Sequence, residues 1–113
     1  MKDNLRPFHL AIPVSDFEAT QDFYTNVLGC SVGRTDKTWM DFNFFGHQVV
    51  AHLVPGSEQS SITNHVDGED VPYRHFGIIM RMPAWENLVR RIREKKVKFL
   101  ISPQIRFKGK LGE

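Results

Sequence analysis

The chain has 113 residues, 41% of them apolar and 25% charged, with a formal net charge of +2. That bounds it to one globular domain and gives no overall case for nucleic-acid binding. A single cysteine, Cys30, excludes an internal disulfide and fits a reducing cytoplasm. No apolar run reaches membrane-spanning length and the N-terminus lacks a signal-peptide stretch, so a soluble cytoplasmic protein is expected.

Residues 8–14, Phe-His-Leu-Ala-Ile-Pro-Val, read as a strand, with Pro13 marking its end. Ser15 or Asp16 then caps a helix, and Ser15 with Glu18 has the spacing of a capping box. Phe17, Thr20, Phe23, Tyr24, Val27 and Leu28 recur at helical intervals, and Gly29 is the expected stop. Residues 30–34 read as a short strand. Trp39, Asp41, Asn43 and Phe45 alternate with Met40, Phe42 and Phe44, the period-two pattern of another strand. Phe45-Gly46-His47-Gln48 reads as a tight turn, and residues 49–54 as the return strand of a hairpin. The first half is therefore β-α-β-β-β, over residues 8–55.

Residues 56–73 are polar and aperiodic, which predicts a linker. At Arg74-His75-Phe76-Gly77-Ile78 the opening pattern returns. Residues 75–82 read as a strand, followed by a helix with Pro83 in its first turn and an apolar stripe of Trp85, Leu88, Val89 and Ile92. Residues 97–102 and 104–108 read as strand material. Charge is uneven: residues 90–110 carry nine Lys or Arg and one acid, Glu94. This is read as a solvated helix face and an exposed strand. The two opening histidines, His9 and His75, lie 66 positions apart. An internal repeat at that period implies two copies of one αβ unit. A histidine at the same place in both copies points to a shared metal site.

A repeated β-α-β-β-β unit with a histidine opening each copy resembles the vicinal oxygen chelate superfamily, which includes glyoxalases, bleomycin-resistance proteins and extradiol dioxygenases. The matching residues are His9-Leu-Ala-Ile-Pro-Val, the stretch from Asp16 to Gly29 with Phe23-Tyr24 and Leu28-Gly29, and Arg74-His75-Phe-Gly-Ile. The resemblance implies an α+β fold of two pseudo-symmetric modules whose curved sheets form a cup. Module one is 8–55, the linker 56–73 and module two 74–113, all in one domain. It implies metal ligands on the first and last strands of each module. His9 and His75 match the first-strand ligands, and His52 the last strand of module one. The fourth ligand, commonly a glutamate, belongs to a strand that this sequence ends before, so module two reads as truncated. An uncovered edge near residues 97–108 is then expected to pair with another chain or with further strands of a longer one.

Two histidines with a carboxylate leave open positions on a divalent ion, and imidazole suits Fe, Zn, Ni and Co; Mn is not distinguished from these by sequence. The favoured function is a metal-dependent small-molecule enzyme, either dioxygenase-like or lyase/isomerase-like. The competing reading is a metal-free protein that binds and sequesters an antibiotic-type small molecule. Trp39, Asp41 and Asn43 are expected to line the cup as substrate contacts. Arg106 and Lys108 alternate on a later strand and are read as solvated edge charges. His47 in the turn and His65 in the linker are expected to be exposed, and Cys30 to be packing. A homodimer is implied by the resemblance. The sequence has no G-x-G-x-x-G motif, P-loop or G-x-S-x-G elbow, which argues against nucleotide cofactors and serine-hydrolase chemistry.

Overall fold

Strand β1 (His9–Val14) leads into helix α1 (Phe17–Asp22) in a computed structural model that describes residues 5–57, 62–66 and 68–104. Asp16 is the cap, not Ser15: its carboxylate accepts the Ala19 N–H at 3.1 Å. The helix widens into a π-helical turn, Phe23–Val27, where the Leu28 N–H reaches back five residues to the Phe23 carbonyl at 3.0 Å. Two threonines contribute to this loosening. Thr20 and Thr25 donate their hydroxyls to the carbonyls of Asp16 and Gln21, competing for acceptors of the helix ladder. Gly29 ends the element at φ 79°, a left-handed conformation that suits glycine.

Three strands follow: β2 (Ser31–Thr35), β3 (Trp39–Phe44) and β4 (His47–Leu53). The sheet order is β1-β4-β3-β2, with β1 parallel to β4 and the other pairs antiparallel. The β3–β4 turn is only Phe45-Gly46, with both residues at positive φ, the geometry of a type I′ hairpin. The sequence pattern predicts His47 and Gln48 within that turn. Instead His47 opens β4, half-buried, stacked on Phe8 at 4.2 Å and accepting the Phe8 N–H on Nδ1 at 3.0 Å.

The core lies between this sheet and the helix. Phe42 and Val49 are its largest fully buried side chains, joined by Val27, Cys30, Met40, Phe44 and Ala51. Tyr24 stacks on Phe42 at 4.8 Å and meets Phe44 edge-on at 6.2 Å. Desolvation holds the Tyr24 hydroxyl above its ordinary pKa, with the neighbouring Cys30 adding to the effect. Burial likewise pushes the Cys30 thiol up, partly offset by a hydrogen bond with the Phe45 backbone. The packing role expected of Cys30 agrees with this.

The chain divides into two units, Met1–Ser60 and Ser61–Glu113. In the second, residues expected to be linker form an antiparallel hairpin, β5 (Ile62–Val66) and β6 (Glu69–Tyr73), with His65 in register with Asp70. Residues 75–80, expected to be a strand, pair with no strand among the described residues. Helix α2 (Met82–Glu94) follows, with proline in its first turn as expected. Trp85, Leu88, Val89 and Ile92 are half-buried, and no residue of α2 is fully buried. Residues 97–104 form no strand. The expected strand over 104–108, with Arg106 and Lys108, lies beyond residue 104 outside the described residues. The α+β class and the β-α-β-β-β first module are as the sequence predicts.

Candidate functional site

Register decides which side chains of the first unit share a face. His9, Ala11 and Pro13 of β1 stand opposite Gln48, Val50 and His52 of β4. Those in turn stand opposite Asn43, Asp41 and Trp39 of β3. Side chains alternate along a strand, so all nine project from one face. Phe42, Phe44, Val49 and Ala51 project from the other, toward Tyr24 and the core. The five first-unit residues singled out from sequence, His9, His52, Trp39, Asp41 and Asn43, thus share a single polar face.

Their surroundings differ. His9 is exposed, and its Nδ1 lies 2.8 Å from the Gln48 Oε1. Gln48 is half-buried, and its Nε2 donates to Asp41 Oδ2 at 3.0 Å. Asp41 is 7% exposed, the buried polar residue of the described core. Its other oxygen, Oδ1, accepts the Arg34 N–H at 3.4 Å. That oxygen sits so close to the β2 backbone that a Cβ at Gly33 would stand 2.6 Å from it. Glycine is required there for space. The Arg34 guanidinium lies 3.8 Å from Asp41 Oδ2 and 5.7 Å from the centre of the Trp39 ring.

Asn43 is exposed, but its Oδ1 accepts the Gly46 N–H at 2.7 Å, which ties it to the hairpin turn. His52 is exposed opposite the half-buried Trp39. Four residues separate its row from that of His9, about 13 Å along the strands at about 3.3 Å per residue. His75, in the second unit, is exposed in the segment before α2. Among the described residues no group of three or more His, Cys, Asp or Glu side chains is gathered as a metal cage. No helix among them is long and apolar enough to cross a membrane.

Sequence reasoning missed Gln48, Gly33 and Arg34. The first was hidden by a turn drawn two residues too long. A two-residue Phe45-Gly46 turn puts Asn43 opposite Gln48, and that register was available from the positive-φ preference of Gly46. The close approach of Gly33 to Asp41 is a tertiary fact with no local signal.

The family model described as the glyoxalase/bleomycin resistance protein/dioxygenase superfamily matches residues 6–112. Among solved structures, a glyoxalase/bleomycin resistance protein/dioxygenase from Alicyclobacillus acidocaldarius is 30% identical, with a TM-score of 0.77 over 96% of this chain and 77% of that one. The fosfomycin resistance protein FosX of Listeria monocytogenes is 16% identical, with a TM-score of 0.65 over 96% of this chain and 79% of that one. A mutant of FosX, complexed with Mn(II) and 1S,2S-dihydroxypropylphosphonic acid, is likewise 16% identical, with a TM-score of 0.57 over 93% and 75%. At FosX's level of identity the likeness is one of fold. No curated protein matches the chain.

Proposed function

Since the chain belongs to the glyoxalase/bleomycin resistance protein/dioxygenase superfamily, we propose that it is a metal-dependent enzyme acting on a small molecule that offers two neighbouring oxygens. His9 and His75 are its imidazole donors in this reading. The observation that carries it is the setting of His9: an exposed ring on a polar sheet face, with Nδ1 engaged by Gln48 and Nε2 left as the nitrogen a ligand would meet. A metal-bound histidine ordinarily has its second ring nitrogen held by such a partner, so the residue fits a divalent ion. FosX, of the same fold, has been captured with Mn(II). A divalent ion supplies Lewis-acid polarisation of a bound carbonyl or enolate oxygen.

The chain's own side chains do the rest. Trp39 offers an apolar wall. The Arg34 guanidinium, 79% exposed beside it, offers positive charge to an anionic substrate oxygen. His52, opposite Trp39 and about 13 Å from the His9 row, meets the substrate end of the face. Asp41 and Asn43, on the same face, are engaged by Gln48 and by the Gly46 N–H and hold its shape. A homodimer in the cytoplasm completes the reading.

Elemental analysis of purified protein tests it. Wild type and His47→Ala should carry a stoichiometric divalent metal, and His9→Ala and His75→Ala should lose it. No stoichiometric metal in any of the four would instead favour the metal-free binding protein, and equal stoichiometric metal in all four would remove His9 and His75 as its donors.

A further inference from the structure

We propose that Gln48 is a positioning residue that sets the tautomer of His9, with Asp41 as the anchor that makes this setting one-directional. The consequence for metal affinity rests on the reading of His9 as a donor. The consequence for the tautomer does not.

Donors and acceptors fix the direction of the relay. A glutamine amide has a carbonyl that accepts and an NH₂ that donates, and either end can face a neighbour. Asp41 removes that ambiguity. A carboxylate only accepts, so the Gln48 group 3.0 Å from Oδ2 must be the NH₂. The carbonyl is thereby turned to His9, 2.8 Å from Nδ1. A carbonyl only accepts, so Nδ1 must carry the proton. In the neutral ring Nε2 then holds the lone pair.

The anchor cannot easily turn away. Asp41 is 7% exposed. Gly33 lies against one of its oxygens with no room for a side chain, and the Arg34 N–H meets that same oxygen. Each member of the chain lies on a different strand, β1, β4 and β3, so the sheet register holds the relay as well as the contacts do. Free neutral histidine in water favours the opposite tautomer, with the proton on Nε2. The sheet therefore presents the ligating form of His9 before any ion arrives.

The test uses metal-free full-length protein, with the ring nitrogens labelled with ¹⁵N and correlated to the ring protons at a pH where His9 is neutral. Wild type should show the proton on His9 Nδ1. Gln48→Met, which keeps the shape but removes the acceptor, should shift the ring toward the Nε2–H form. Asp41→Asn touches His9 nowhere, yet it lets the Gln48 amide turn over, so mixed tautomers should appear with the fold retained. Mn(II) affinity should fall about 10- to 100-fold in Gln48→Met. A wild-type His9 with its proton on Nε2, or a tautomer unmoved by either substitution, would overturn the proposal. Tautomers as expected in a wild type that binds none of Mn(II), Fe(II), Zn(II), Ni(II) and Co(II) would uphold the role of Gln48 and defeat the metal-dependent reading of the protein.

Discussion

Residues 9–14 and 75–80 begin alike, with a histidine followed by a large apolar residue, a small one and isoleucine, yet only the first is a strand among the described residues. His9–Val14 is paired along its whole length with β4. The second segment has no strand partner among the described residues, and Ile79 within it is 99% exposed. The difference lies in what each segment finds to pair with. In the first unit the β3–β4 hairpin supplies a neighbour on one edge and a buried face on the other. In the second, the helix is followed by residues 97–104, which supply no strand. Strand propensity is a preference for a half-buried pleated surface, and it is realised only where such a surface exists.

The same contrast should appear in stability. Phe42→Ala removes a fully buried ring from between Tyr24 and the sheet, and should cost about 3–5 kcal/mol in denaturant unfolding. Leu88→Ala, the corresponding truncation on the half-buried stripe of α2, should cost roughly 1 kcal/mol, since only part of the transfer energy is forfeited. Equal losses at the two sites would erase the distinction between the units.

Next in size is Gly33→Ala. Its Cβ would fall 2.6 Å from Asp41 Oδ1, so either β2 or the carboxylate must move. A cost of about 1–3 kcal/mol is expected, together with a change in the His9 ring signals. Stability lost without any change at His9 would show that Asp41 does not reach His9 through Gln48. Gly46→Ala should cost about 1 kcal/mol, because its φ of 93° is unfavourable for a side chain even though nothing stands within 4 Å of the new Cβ. Melting curves of the variant resolve this.

The smallest effect concerns pH. Both Cys30 and Tyr24 are held above their ordinary pKa values, chiefly by desolvation. Their neutral forms are the ones the fold stabilises. That stability is intact below the unfolded thiol value of about 8.5 and declines as pH rises through it toward the folded value. Thermal melts from about pH 7 to about pH 10 should show a decline that is shallower in Cys30→Ala.

How much of this was legible in the sequence follows the same division. The first module declared itself because each signal agreed with its neighbours. Asp16 and Gly29 bracket one helix, and Trp39 to Phe44 alternate without interruption. The placement of Trp39, Asp41 and Asn43 on one face followed from period two alone. What they do there did not. Asn43 turns to the Gly46 N–H and Asp41 to Gln48, contacts decided by a hairpin two residues shorter than the one read from sequence. The β5–β6 hairpin was hidden for another reason. Residues 63–65 are polar, and Pro72 cannot donate to a ladder, so the segment read as a loop. Residues 75–82 erred the other way, since repetition of a pattern does not repeat its surroundings.

The account's central claim is that His9 is the first unit's metal donor. Paramagnetic broadening by substoichiometric Mn(II), followed at the ring protons of the histidines, tests it most directly. The His9 and His75 signals should broaden first and most, and His47, whose Nδ1 accepts the Phe8 N–H and whose ring is stacked on Phe8, should broaden later and less. Broadening that is stronger at His47 than at His9, or a spectrum in which His9 stays sharp, would contradict the account.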